Sequence, residues 1–162
     1  MVRENGVLEN TQVVFLLLSG LIFAVQSFFV ARNIRIVLWM GAWFCLSCIL
    51  RELDVDELAV PCWVILIGSG LGRNLIMGVG WITLGVIAIR SHSELRSKFG
   101  SMVRSRTAIF VFAAGILLLL GSLFDRETIA TAHGKLWEEA SEVFGYFLLL
   151  PAALFSRSIS KA

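Results

Sequence analysis

The chain has 162 residues, of which 57% are hydrophobic and only 16% are charged. Soluble domains carry about 25% charged residues, so this chain has too few polar side chains to coat a water-soluble exterior. Its three cysteines are too few for a disulfide framework. The composition predicts one all-α domain over residues 1–162 that lies in a lipid bilayer.

Apolar blocks follow one another along the chain, and each predicts a membrane-spanning helix, since a span needs roughly 20 mostly apolar residues. Because the blocks are apolar on all faces, we expect helices rather than barrel strands, which alternate apolar and polar residues. The predicted fold is a polytopic membrane helical bundle of five transmembrane helices. The five predicted spans are 11–30, 36–54, 75–90, 108–124 and 138–156.

Residues 59–72 are also apolar, but glycines interrupt the block before it reaches the length of a span. We expect this segment to be interfacial or re-entrant. Its glycines do not form a nucleotide-binding loop, because no GK[ST] follows and no strand precedes them. Close helix packing explains glycines at such positions better, and we expect it at Gly68, Gly72, Gly78 and Gly85.

Charge asymmetry predicts the orientation, since Lys and Arg accumulate in short cytoplasmic loops. With five spans, the N-terminus lies outside and the C-terminus inside, and only one acidic residue, Glu94, falls inside. A sixth span would instead put the basic segment 90–107 on the same side as the acidic segment 52–57. The predicted location is the bacterial inner membrane, as a multi-pass protein. The inside basic residues are Arg32, Arg35, Arg90, Arg96, Lys98, Arg104, Arg106, Arg157 and Lys161.

Charged residues at the outer helix ends are the first candidates for a binding site. Several fall within the predicted hydrocarbon boundary, where ionisable groups are costly and usually pair or line a cavity. We expect them to converge into one polar cluster, either a cation, metal or headgroup site that opens outward or an ion-pair network that holds the helix ends. The predicted cluster contains Arg51, Glu52, Arg73, Asp125, His133, Glu138 and Glu142.

His133 belongs to this set, but the sequence around it gives a metal site little support. His133 lies between Asp125 and Glu138 and is a candidate metal ligand or proton carrier, but no HExxH or His-rich spacing accompanies it. A solvated loop histidine is the alternative. The second histidine, His92, falls on the opposite side of the membrane, so the two cannot share a metal.

The cysteines form a second candidate site. Cys45 and Cys48 make a CxxC on the second predicted helix, and Cys62 follows in the next apolar block. With Arg51 close behind, this short run resembles that of the quinone-linked thiol oxidases of bacterial inner membranes, and the resemblance implies a redox role for Cys45 and Cys48. The second cysteine pair of those enzymes is absent, and small apolar packing residues are the alternative interpretation.

A broader resemblance rests on scattered positions. The chain is similar to small polytopic inner-membrane proteins of bacteria to which no activity can be assigned. This resemblance implies only the fold and the location in a membrane, and it makes the outer acidic positions worth testing. The matching positions are Glu4, Asn5, Gly6, Glu9 and Gln12 at the start, residues 51–54 after the second span, and Glu138, Glu139 and Glu142 before the last.

The function expected from these observations is that of a binding or accessory membrane component, and a non-enzymatic role is favoured. A membrane thiol-disulfide oxidoreductase that uses Cys45 and Cys48 is the enzymatic alternative, and an ion or small-molecule transporter acting as a homo-oligomer is the third. No cofactor is indicated. The expected partners are the bilayer, anionic lipid at the basic loop from Arg90 to Arg106, and a second copy or larger membrane complex, but not nucleic acid.

Overall fold

The computed structural model describes residues 7–53, 55, 60–125 and 134–160. Within these ranges the chain contains α-helices and one closing 3₁₀ helix and no strand, so the all-helical prediction is confirmed there. The helices are α1 Val7–Ser27, α2 Arg32–Glu52, α3 Cys62–Gly68, α4 Gly70–Arg90, α5 His92–Val103, α6 Arg106–Asp125 and α7 Gly134–Leu154, followed by the 3₁₀ helix Phe155–Ser160.

Four of these helices, α1, α2, α4 and α6, are long and apolar enough to cross a membrane. Their spans have 19 to 21 residues, which corresponds to roughly 30 Å of helix and matches the hydrocarbon thickness. The last helix, α7, also has 21 residues. Its first half carries Glu138, Glu139 and Glu142. The helix is therefore more charged than an ordinary membrane span.

The apolar segment that precedes α4 forms a separate short helix. With seven residues, α3 is about 10 Å long, far too short to cross a bilayer by itself. The break between α3 and α4 lies at Ser69 and Gly70, and Gly70 has a φ of 48°. This left-handed backbone favours glycine, which has no Cβ to clash. The glycine interruption thus marks a turn between two helices.

The core lies among α1, α2, α6 and α7, and the most extensive contact joins α6 to α7. Leu16, Leu38, Ala114 and Tyr146 are among the side chains that these helices bury. By contrast, α4 has no buried residue and packs mainly along α2. The outer surface is apolar, with side chains such as Leu119 two-thirds exposed. A water-soluble protein rarely exposes so continuous an apolar surface, whereas lipid-facing helices do.

Two expectations about local structure are wrong. The basic segment 90–107, predicted to be a loop, contains the twelve-residue helix α5. Close helix packing occurs at Gly72, against Leu66 of α3, whereas Gly68 lies against Val55 in the segment before α3. A Cβ added at Gly78 or Gly85 would meet no atom within 4 Å. The close approach on α4 is at Gly80 instead, which lies against the ring of Trp43 on α2. A sequence with several helical glycines does not reveal which face will meet a neighbour.

Candidate functional site

Three charged residues predicted to cluster meet where α2 ends. Arg51 Nε donates to Glu52 Oε1 at 3.1 Å, and Arg51 Nη2 forms an ion pair with Glu142 Oε1 on α7. One guanidinium therefore joins two carboxylates from two helices. Glu142 fits there because α6 has Gly121 opposite it, where an added Cβ would lie 3.1 Å from Glu142 Cγ.

Tyr146 completes this group, although it was not among the residues predicted from the sequence. Its hydroxyl donates to Glu52 Oε1 at 2.9 Å, and the residue is 1% exposed. Tyr146 is the only tyrosine in the chain and follows Glu142 by one helical turn, so it projects from the same face of α7. The four-residue spacing from Glu142 is the sequence feature that could have indicated that Tyr146 lies in this group. We name Arg51, Glu52, Glu142 and Tyr146 the outer charged cluster.

In the outer charged cluster, the arginine is much more exposed to solvent than the two carboxylates. The Arg51 side chain is 59% exposed, whereas those of Glu52 and Glu142 are each 11% exposed. Carboxylates withdrawn from water need compensating donors. Within the described part of the chain, Arg51 and Tyr146 supply them, and the bonds go to the Oε1 atom of each carboxylate.

Arg73, another predicted site residue, bonds to the backbone of α2 and not to the outer charged cluster. Arg73 Nη1 donates to the backbone oxygen of Leu50 at 2.9 Å, which satisfies a carbonyl in the last turn of α2. Glu138 lies one turn before Glu142 on α7 and is half-buried. Asp125 ends α6, but its side chain lies outside the described residues, and so does His133.

Gln12 on α1 lies at the same depth as the outer charged cluster. The contacts of Gly20 with Cys45 and of Phe23 with Gly41 define an antiparallel register between α1 and α2. Continued toward the end of α2, this register places Gln12 beside Glu52. Gln12 is 2% exposed, and its Oε1 accepts no hydrogen bond from the described residues. A buried acceptor without a donor is unfavourable, and Gln12 Oε1 is one such acceptor at this depth.

The three cysteines are all free and differ in burial. Cys45 is fully buried between α1 and α2, where its Cβ lies 3.1 Å from a Cβ added at Gly20. Cys48 is half-buried beside Tyr146, and Cys62 is exposed on α3. The packing of Cys45 favours the interpretation as a small apolar core residue. The thiol-oxidoreductase alternative remains a hypothesis.

In the described part of the chain, no group of three or more His, Cys, Asp or Glu side chains is placed to hold a metal ion. Glu52 and Glu142 alone are a sparse ligand set for a divalent cation, which in proteins usually has more oxygen ligands. The chemistry that the outer charged cluster suits better is hydrogen bonding to a cationic group with several N–H donors.

Fold and site together define an all-helical bundle with four helices long and apolar enough to cross a membrane. Comparison with protein-family models, curated proteins and solved structures found no match.

Proposed function

We propose that the chain is a multi-pass protein of the bacterial inner membrane with five spans, its N-terminus outside and its C-terminus inside. The fifth span is α7. Its support is the parallel packing of α7 along α1: the rings of Phe15 and Phe147 lie 5.4 Å apart, and near the other end Ser156 Oγ donates to Gln26 Oε1 at 2.6 Å. A helix that accompanies a spanning helix at both ends crosses the same thickness of membrane.

The carboxylates of α7 are compatible with this crossing. Glu142 is paired with Arg51, so the charge that enters the outer leaflet is compensated, as is usual for ionisable groups in spans. In this arrangement α3 lies at the outer surface and α5 at the inner surface. The basic residues from Arg90 to Arg106 then face the cytoplasm, in agreement with the positive-inside rule.

Reporter fusions test this topology. Fusions after Arg104 and after Lys161 should both report a cytoplasmic location, and fusions near Asp56 and Glu127 a periplasmic one. A periplasmic report after Arg104 contradicts the five-span arrangement, because it requires an even number of crossings before that point.

Within this topology we propose that the protein is a binding component whose outer charged cluster receives a cationic group, either free or carried by a partner. The observation that carries this proposal is that two nearly buried carboxylates share one arginine whose side chain is more than half exposed. Because the Arg51 side chain is largely exposed, it can move toward water when an incoming ammonium or guanidinium takes its place between Glu52 and Glu142. The unsatisfied Gln12 Oε1 at the same depth adds an acceptor.

Titration with agmatine, which carries one guanidinium and one ammonium group, tests the binding proposal. Millimolar agmatine should raise the melting temperature of the detergent-purified protein, because a ligand that binds only the folded state stabilises it by mass action. Glu52→Gln should abolish this shift. Glu139→Gln, on α7 but outside the outer charged cluster, is the matched control and should retain it. If agmatine has no effect on the wild type while Glu52→Gln lowers the melting temperature, the cluster is a structural network only.

A further inference from the structure

A second feature of the bundle lies on the opposite, inner side. An apolar crevice of about 430 Å³ is lined mainly by α2 and α6, with Trp81 as the lining residue from α4. Its size is within the range of small-molecule sites, about 300–1,000 Å³. Although α4 packs on α2, it makes no extensive contact with α6. The crevice is the gap that this arrangement leaves, and its lining includes Met40, Phe44, Trp81, Val111 and Leu118.

The depth of the crevice corresponds to one leaflet. Along α6 its lining runs from Thr107, in the first turn, to Leu118. Eleven residues of helix rise by about 16 Å, which is close to half of the ~30 Å hydrocarbon thickness. The crevice thus extends from the inner membrane boundary to the middle of the bilayer, the region occupied by an inner-leaflet acyl chain.

One polar atom lies at the boundary end of this apolar space. Thr107 is 5% exposed and lines the crevice, and its Oγ1 has no hydrogen-bond partner among the described residues. A threonine in a helix often bonds to a backbone carbonyl one turn earlier. A buried hydroxyl without a partner is unfavourable, so this side chain suits a ligand that brings a polar group to the mouth of the crevice.

Basic residues flank the first turn of α6. Thr107 lies in the first turn of α6, where backbone N–H groups and the helix dipole favour an anion. Arg104 and Arg106 are exposed on either side of Ser105, whose Oγ accepts from the N–H of Ala108 at 3.2 Å. Helix α5, which contributes Arg96 and Lys98, contacts α2, α4 and α6.

We propose that this crevice is a binding site for an anionic phospholipid of the inner leaflet. One acyl chain fills the gap between α4 and α6, the Thr107 hydroxyl donates to the ester or phosphate oxygens, and the phosphate lies against the N-terminus of α6 and its arginines. Assignment to the inner leaflet rests on the proposed topology, whereas the binding site itself does not. The basic residues near the start of α6 favour an anionic lipid over a neutral one, since basic segments at the cytoplasmic face attract anionic lipids.

The test uses the full chain in a mild neutral detergent and measures its melting temperature with added dioleoyl phosphatidylglycerol, dioleoyl phosphatidylcholine or chain-free glycerophosphoglycerol. We expect stabilisation by phosphatidylglycerol, with much weaker effects of the other two. Gly115→Leu should weaken apparent phosphatidylglycerol affinity more than tenfold by filling the crevice. A Cβ at Gly115 meets no atom within 4 Å, so this variant should fold. Thr107→Val should weaken the affinity for phosphatidylglycerol about fivefold, which corresponds to the loss of one hydrogen bond.

Gly85→Leu is the matched control, because Gly85 also has open space around a Cβ and does not line the crevice. Equal stabilisation by phosphatidylglycerol and phosphatidylcholine overturns the proposal, and so does unchanged phosphatidylglycerol affinity in Gly115→Leu. If light scattering instead shows a dimer that Gly115→Leu dissociates, the occupant is a second copy of the chain. The agmatine titration is independent of these variants, and failure at one site is therefore distinguishable from failure at the other.

Discussion

Arg51→Met should lower the free energy of unfolding by about 3 kcal/mol. Removing one partner of a buried ion pair leaves an uncompensated charge and costs roughly 3–5 kcal/mol, and the lower end applies because the Arg51 side chain is 59% exposed. Methionine keeps much of the aliphatic stem but leaves Glu52 and Glu142, each 11% exposed, close together without a cation. Reversible unfolding in mixed micelles measures the change.

The control for this variant is Arg96→Met, which removes the same charge from an exposed position on α5 and should change stability by less than about 0.5 kcal/mol. A double-mutant cycle with Glu142→Gln then measures the coupling between Arg51 and Glu142. We expect the double variant to be more stable than the sum of the two single effects predicts, because one repulsive carboxylate is gone. Additive effects of the two substitutions would contradict an energetically important ion pair.

Gly80→Ala should destabilise the bundle by about 1–3 kcal/mol, although alanine is the better helix former. An added Cβ at Gly80 overlaps the ring of Trp43, so the indole or one of the two helices must shift. Gly78→Ala, two residues earlier on the same helix, is the matched control. Its Cβ meets nothing within 4 Å, so we expect a gain of up to about 1 kcal/mol from helix propensity. The difference between the two variants is measured by the same unfolding assay.

A smaller side chain at position 43 should partly restore the stability that Gly80→Ala loses. In the Trp43→Leu background, Gly80→Ala should have a much smaller effect than in the wild type, because the space that the ring occupied is free. If Gly80→Ala and Gly78→Ala change stability alike, α4 does not pack on α2 through this contact. The arrangement of α4, and with it the crevice beside α6, would then be different.

The sequence by itself determined the class of this protein, because helix formation in apolar surroundings depends on local and additive properties. Apolar blocks near the length of a span predict spanning helices, and their backbones must bond internally in lipid. The apolar pattern predicted a span over 75–90, whereas the helix runs from Gly70 to Arg90 and begins five residues earlier. That start depends on the left-handed Gly70, a backbone conformation that the apolar pattern does not encode.

Tertiary structure decided which polar groups meet. The sequence alone brought Arg51, Glu52 and Glu142 to a similar depth, since distance along a helix converts directly into depth in the bilayer. Whether two side chains at one depth touch depends on the rotation and neighbours of each helix, and no residue spacing within one helix contains that information. Tyr146 joined the cluster, and Arg73 instead bonds the carbonyl of Leu50, because contacts between helices are set by packing across the whole bundle.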